Sequence, residues 1–456
     1  MQEASLLPSQ PAAMPFSAFL FALFRALEQQ AVRFCVLRNY EGFPENNAGS
    51  DIDFLIVESD LPRAVRALGA IEGIRVVGFS ERSWVAHAFV EGVRPSDETR
   101  AMQVDFLWNL SWKGLTYAPG EEILRTAIVR RAGNLEFLVP SAPHEAITSL
   151  FASLLKSGWL KEKYFAQVQT TFATSPDEVR AALIPQFGTK TAKTLLSAVI
   201  AGDRRALMKC VRPLRTALAL RSLLYKPLSS VVAIVRHYVR EIAVRFSPAS
   251  VENVNIVGPD QRIVEEVVHD LLPILYCTAK VVETSAVYLP GPQASARHAG
   301  AARASSPAQP GTWPAVSMTA VIRRLGQEWF KQFFGKKELT LRVYAGSIDD
   351  LLIDPERFGF RGFRWVARAA GAFSPPSQLW ILLDTSLGRL QANVSENQTA
   401  EKHDRIEAYN SLVTSKRSYA ILNAAGRRSS VVEDAYAAVT AMLAQRTAAM
   451  LGRRFQ

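Results

Sequence analysis

The sequence predicts an α/β protein with a mixed sheet, a helical region and a second, parallel sheet. Three observations predict this class. Compact apolar runs alternate with helical stretches up to about residue 140, the apolar spacing is helical from about Ser141, and the alternation returns after Ser247-Pro248. Because 456 residues are too many for one ordinary core, these changes predict the regions 1–140, 141–247 and 248–456.

The first region begins with an apolar run from Phe16 to Leu27. This run is short, contains Arg25, and lacks a basic lead and a small-residue cleavage site. It therefore predicts a helix that docks on the protein rather than a targeting or membrane segment. Further apolar runs predict strands at 34–37, 54–57, 74–77 and 104–107.

The second region is predicted to be helical. Pro143 stands near a helix start, and an apolar run at 146–155 follows it. In the third region, a strand at 254–257 leads into Gly258-Pro259-Asp260 and a helical run at 263–272. Further strands are expected at 340–344, 379–384 and 419–423, and strands separated by helices predict a parallel sheet. The segment 290–314, rich in Ala, Gly, Pro and Ser, predicts a mobile surface loop.

Composition narrows the class of protein. A hydrophobic share of 48% and a charged share of 21% are typical of a soluble globular chain rather than a disordered or membrane one. Cys35, Cys210 and Cys277 are far apart and show no metal-ligand spacing, which fits a reducing cytoplasm and gives no support to zinc.

Positive charge is concentrated in one stretch. The net charge is +11, and ten Lys or Arg residues lie between Asp203 and Phe246 beside two acidic residues. Val231, Val235 and Ile242 recur there at helical spacing. Two interpretations stay open for 204–245: a solvated connector helix, or weak contact with a membrane surface or polyanion. The sequence predicts no specific nucleic-acid partner.

Two carboxylates open the apolar strand at 51–57. Side chains alternate along a strand, so Asp51 and Asp53 project from one face. Paired carboxylates suit Mg²⁺, which takes one or two protein carboxylates and shares its other positions with water and phosphates. The pair therefore indicates phosphate chemistry.

The segment Gly49-Ser50-Asp51-Ile52-Asp53-Phe54-Leu55-Ile56 resembles the acidic signature of the polymerase β-like nucleotidyltransferase superfamily. Asp105 stands where that family has a third carboxylate, on a neighbouring strand. Three further segments are similar to those of a bacterial subgroup: Leu37-Arg38-Asn39-Tyr40-Glu41, Trp112-Lys113-Gly114-Leu115 and Lys161-Glu162-Lys163-Tyr164. The resemblance covers roughly the first third of the chain.

This resemblance implies a nucleotidyltransferase fold that moves NMP from an NTP to an unidentified acceptor. Asp51, Asp53 and Asp105 would be the catalytic residues and would hold Mg²⁺ or Mn²⁺. Related fusions imply a role near surface-polysaccharide synthesis.

Nucleotide phosphates would be bound by Arg38, Gly49 and Ser50. The superfamily usually has its Gly-Ser well upstream of the acidic pair, whereas here it adjoins the pair. Arg38 is therefore the main phosphate-binding candidate. A salt bridge from Arg38 to Glu41 or Glu45 is the structural alternative.

The third region resembles thymidylate kinase-like P-loop domains. Three segments carry the likeness: Val257-Gly258-Pro259-Asp260, 353–358 and 375–384. In that family Gly-Pro-Asp continues into a glycine-rich loop with Lys and a hydroxyl residue, which bind phosphate and Mg²⁺. Here Val264 and Glu265 stand at those two positions.

Two more family positions have changed. Ala345-Gly346 replaces a catalytic Asp-Arg, and Asn393 replaces a lid Arg. The resemblance therefore implies a kinase-like fold without kinase activity, with Arg262 or Arg389 as residual anion contacts. An Mg²⁺-dependent nucleotidyltransferase is the leading hypothesis. A non-catalytic nucleotide sensor or scaffold is the alternative, and a nucleoside-monophosphate kinase is the third.

Overall fold

The computed structural model of the protein describes most of the chain. The described residues are 13–46, 51–95, 100–159, 162–246, 251–286, 323, 326, 339–355, 364–372, 374, 376–385 and 396–455. Gly49, Ser50, Arg389, Asn393 and the loop predicted at 290–314 lie outside these residues, as do 356–358 and Pro375 of the kinase-like segments.

The chain forms two compact units. The first comprises mainly Pro11–Asp97 and Ala101–Val244, and the second mainly Arg245–Arg453. The described strands of the first unit, β1 to β11, are Met14–Pro15, Phe34–Val36, Asp51–Ile56, Arg75–Glu81, Val85–Glu91, Val93–Arg94, Ala101–Leu107, Leu110–Trp112, Leu115–Ala118, Ile128–Ala132 and Leu135–Val139. Its described α-helices, α1 to α8, are Phe16–Gln29, Leu61–Gly69, Gly120–Arg125, Ala142–Ser157, Glu162–Thr174, Pro176–Ile200, Arg204–Tyr225 and Pro227–Phe246.

A five-stranded mixed sheet is the centre of the first unit. Its order is β2-β3-β7-β5-β4, and among these neighbours only β3 and β7 pair in parallel. On one face, Phe54 packs against Phe106 of the next strand and Phe24 of α1. On the other face, Leu55 and Leu107 belong to a core shared with helices α4 to α7. The carboxylates of Asp51 and Asp53 project from this second face, because they alternate with Ile52 and Phe54.

The second unit contains a parallel sheet. Its described strands, β12 to β16, are Val251–Val257, Val281–Ala286, Thr340–Ala345, Leu379–Asp384 and Tyr419–Asn423. Its described α-helices, α9 to α13, are Gln261–Ile274, Asp350–Ile353, Arg364–Ala372, Glu396–Thr414 and Arg428–Phe455. The order is β13-β14-β12-β15-β16, and every neighbouring pair is parallel.

The structure confirms the mixed α/β class, the mixed sheet and the parallel sheet. α1 buries Phe19, Leu20 and Leu23, so the apolar N-terminal run forms a docked helix. Within the described residues, every helix is too short or too polar to cross a membrane. The sequence-based prediction missed β5, β13 and the hairpins β8–β9 and β10–β11.

Candidate functional site

Three carboxylates meet on one face of the mixed sheet. β3 and β7 pair in parallel with Asp53 directly opposite Asp105 and Asp51 opposite Gln103. Each of the three aspartates has a carboxylate oxygen within 4.8 Å of the other two. Asp53 and Asp105 are buried, whereas Asp51 is half-buried and lies nearest the surface. The structure therefore brings together the three residues that the sequence singled out as metal ligands.

Arg38 lies against this group. Its Nε donates a short hydrogen bond to Asp53 Oδ2, and the two side chains form an ion pair. The structural alternative for Arg38 named Glu41 or Glu45 as the salt-bridge partner, whereas the structure pairs Arg38 with Asp53. Arg38 follows β2, and the backbone N–H of Leu37 donates to the carbonyl of Asp53, which fixes the start of the loop beside β3.

Burial is the largest influence on the pKa values of Asp53 and Arg38. It raises the pKa of Asp53 above its ordinary value, and the neighbouring carboxylates of Asp105 and Asp51 add to this, although Arg38 acts in the opposite direction. Burial alone would lower the pKa of Arg38, but the Asp53 carboxylate reverses that effect, so the guanidinium stays charged. Three carboxylates and one guanidinium thus share the site, and a bound cation would relieve the repulsion between the carboxylates.

Two polar side chains hold Asp105. Gln103 Nε2 donates to Asp105 Oδ1 at 2.7 Å, and His87 Nδ1 lies 2.7 Å from the same oxygen. Gln103 Nε2 also lies 3.3 Å from His87 Nδ1, so the three side chains form one hydrogen-bonded group. His87 comes from β5, in direct register with Asp105. Both partners fix the orientation of the Asp105 carboxylate.

Helices α4 and α5 hold the loop that follows β2. Asn39 has a positive φ of 61°, and its side-chain oxygen accepts from Tyr164 at 3.3 Å. Tyr40 donates to Glu145 Oε2 at 2.7 Å, while Gln167 donates to the other oxygen at 3.0 Å. Asn39 and Tyr164, which belong to two segments singled out by sequence, are therefore in contact. These bonds set the position of Arg38 next to Asp53.

Sequence reasoning missed His87, Gln103, Glu145 and Gln167. The short run Val85–Glu91 is apolar except for His87 and Glu91, a strand signal that would have placed His87 on the sheet. Its position opposite Asp105 depends on the register between β5 and β7, which a single sequence does not display. Glu145 and Gln167 meet Tyr40 only through the packing of α4 and α5, for which no local signal exists.

The second unit has a different arrangement where a P-loop would bind phosphate. β12 ends at Val257, and Asp260 caps α9 by accepting from the backbone N–H groups of Arg262 at 3.1 Å and Ile263 at 3.4 Å. These donors are the ones that an anion at a helix N-terminus would use. Val264, which the resemblance aligns with the lysine of P-loop domains, is fully buried. The start of α9 is therefore closed by a carboxylate of the chain itself.

No model of a known protein family matches this chain, and neither does any curated protein. The functional argument therefore depends on the residues of the site themselves.

Proposed function

We propose that the first unit is an Mg²⁺-dependent nucleotidyltransferase that moves NMP from an NTP to an acceptor hydroxyl or phosphate. The observation that carries the proposal is the set of three carboxylates on paired strands, with oxygens within 4.8 Å of one another. The resemblance of the segment around Asp51 and Asp53 to the nucleotidyltransferase signature supports the same reaction. A link to surface-polysaccharide synthesis rests on that resemblance alone.

The donor set fits Mg²⁺ or Mn²⁺. Carboxylate oxygens are the ligands that hard divalent cations prefer, and Asp51 is half-buried, so the group reaches the protein surface. Asp51, Asp53 and Asp105 would hold the metal. When bound, the metal would neutralise charge on the nucleotide phosphates and on the leaving pyrophosphate.

The residues of the chain have distinct roles in the proposed reaction. Arg38 reaches Asp53 through Nε, so the other N–H groups of its planar guanidinium can bind a phosphate. His87 and Gln103 keep Asp105 in one orientation. An acceptor oxygen forms a bond to the α-phosphorus, the bond from that phosphorus to pyrophosphate breaks, and a carboxylate of the triad takes the acceptor proton.

Pyrophosphate release tests the proposal. The full chain is incubated with Mg²⁺, each NTP in turn and a cell extract as the source of acceptor. We expect release from the wild type and its loss when Asp51→Asn and Asp53→Asn are combined. Asp177→Asn is the matched control, since Asp177 is an exposed carboxylate of α6. Equal release from the wild type and the double variant would refute the proposal.

A non-catalytic nucleotide sensor is the second candidate. The ion pair between Arg38 and Asp53 favours it, because Arg38 offsets part of the buried charge without a metal. Calorimetry separates the two functions. NTP binding that requires Mg²⁺ and Asp51, without pyrophosphate release, supports the sensor, whereas absence of NTP binding supports a scaffold.

A further inference from the structure

Helix α8 presents an apolar stripe to solvent. Leu228, Val232 and Val239 are 83%, 63% and 58% exposed. The full stripe consists of the aliphatic residues Leu228, Val231, Val232, Val235, Val239 and Ile242, all of which are exposed. Their spacing of three and four residues places them along one side of the helix. Helices usually bury such a stripe, so its exposure on one helix marks an interaction surface.

The polar side of α8 faces the protein instead. His237 Nδ1 lies 2.9 Å from Ser83 Oγ, Arg240 donates to the carbonyl of Arg82 at 3.0 Å, and Glu241 pairs with Arg82 at 3.3 Å. The backbone of α8 at Ala233 approaches the turn at Gly114 closely. Because these contacts fix the orientation of α8, its apolar side is held outward.

The charge of the stretch formed by α7 and α8 indicates the kind of partner. α7, α8 and Lys226 between them contain ten Lys or Arg residues, whereas Glu241 is their only acidic residue. Exposed cations on the same stretch make no ion pair with a carboxylate of the described residues; they are Arg205, Lys209, Arg212 and Lys226. A partner that fits this stretch is therefore anionic.

Two other occupants fit less well. A second copy of the chain would bring two strongly basic stretches together, and like charges repel. A nucleic acid would match the charge but would leave the apolar stripe in water, since its phosphates offer no apolar surface. A bilayer with anionic lipids offers both negative headgroups and an apolar layer beneath them.

We propose that α8 docks this protein in the plane of an anionic lipid bilayer, with the apolar stripe inserted below the headgroups. The stripe runs from residue 228 to 242, which corresponds to a length of ~21 Å at the helical rise of about 1.5 Å per residue. That length suits a helix lying on the surface, and α8 does not qualify as a spanning helix. This inference is independent of the chemistry of the carboxylate site.

Vesicle sedimentation tests the proposal with the full chain. One set of vesicles contains phosphatidylcholine only, and the other also contains about one quarter phosphatidylglycerol. We expect sedimentation with the anionic vesicles, weakened by salt. Combining Val235→Asp with Val239→Asp should lower the partition coefficient at least ~10-fold, because two charges would enter the apolar layer. Ile128→Asp with Val129→Asp is the matched control, since these residues of β10 are 53% and 56% exposed.

Three results would overturn the proposal. They are absence of sedimentation of the wild type with anionic vesicles, undiminished sedimentation of the Val235→Asp/Val239→Asp variant, and a solution dimer that this variant abolishes. The last result would identify the stripe as an interface between copies.

A fluorescent label gives a second readout in a variant without added charge. The native cysteines are buried, so Val235→Cys offers a selective site for an environment-sensitive dye. We expect a blue shift with anionic vesicles and no shift for labelled Val129→Cys. An unshifted label at position 235 would also overturn the proposal.

Discussion

At the scale of single residues, the site depends on how buried charges are balanced. Asp53 is buried with Asp105 beside it, and Arg38 forms an ion pair with Asp53. Burying a carboxylate without a compensating charge lowers the stability of the folded protein. A cation that binds only the folded state restores that stability. Metal binding should therefore be visible as a change in stability, whether or not a substrate is present.

We predict that Mg²⁺ or Mn²⁺ raises the unfolding temperature of the wild type and that a chelator reverses the rise. At a concentration of about 100 times the dissociation constant, the gain in unfolding free energy is ~2.7 kcal/mol. Asp51→Asn removes one ligand and should abolish most of the shift in differential scanning fluorimetry. Asp177→Asn should keep it, and an equal shift in both variants would place the metal elsewhere.

His144 makes stability depend on pH. Its Nδ1 lies 2.9 Å from Ser141 Oγ and 3.2 Å from Thr126 Oγ1, and burial lowers its pKa below the ordinary 6.5. The unfolded chain then takes up a proton at a higher pH than the folded chain does. This residue's contribution to stability is therefore complete above pH 6.5 and is lost as pH falls through the folded pKa.

We predict that, as pH falls below 6.5, the unfolding temperature of the wild type declines more steeply than that of His144→Gln. His269→Gln is the control, since the His269 side chain is 85% exposed. It should show the same slope as the wild type. A parallel decline for His144→Gln would show that His144 does not contribute.

At the scale of elements, one tight turn explains a segment that the sequence singled out. Lys113 and Gly114 join β8 to β9, and both have positive φ, at 51° and 85°. This is the backbone of a two-residue hairpin turn that favours Gly. A methyl group on Gly114 would lie 2.4 Å from the carbonyl oxygen of Ala233, so the turn also needs Gly for its contact with α8.

We predict that Gly114→Ala lowers the free energy of unfolding by about 2–4 kcal/mol, through backbone strain and displacement of α8. Urea unfolding measures the loss, and limited proteolysis should cut α8 faster than in the wild type. Gly69→Ala is the control, because open space surrounds Gly69. A small or absent effect of Gly114→Ala would mean that α8 is not held by this turn.

Some strands could be predicted from the sequence, whereas their register and the packing of the helices could not. The predicted strands around Phe54, Phe106 and Ile256 are present, because compact apolar runs need burial on both faces of a sheet. The alternation at 51–53 also placed two carboxylates on one face. β5 was missed although only His87 interrupts its apolar run, and His87 was missed with it. Register and helix packing arise from distant residues, so Glu145 beside Tyr40 was beyond any local pattern.

At the scale of the whole molecule, the two units differ in the groups that they offer for binding a nucleotide phosphate. The first brings three carboxylates and Arg38 together. In the second, Asp260 occupies the first donors of α9, and Gln261 Nε2 donates to the carbonyl of Ala345, 3.3 Å away. Because these hydrogen bonds within the protein already use the first N–H groups of α9, a nucleotide phosphate would find few donors there. The proposed NTP site therefore lies in the first unit.

We predict that calorimetry with ATP and Mg²⁺ detects binding that the Asp51→Asn/Asp53→Asn variant loses and that Arg262→Ala keeps. ATP with dTMP should give no ADP above the rate without protein. ADP formation by the double variant would instead assign kinase activity to the second unit, contrary to the closed start of α9.

The central place of β12 has a consequence for synthesis of the protein. Both of its sheet partners, β14 and β15, begin only at residues 340 and 379. A ribosome adds ~5–20 residues per second, so the apolar strand at 251–257 waits several seconds for its first partner. During that time it is an unpaired, aggregation-prone edge. We therefore expect the nascent second unit to be a chaperone client until its third strand has emerged.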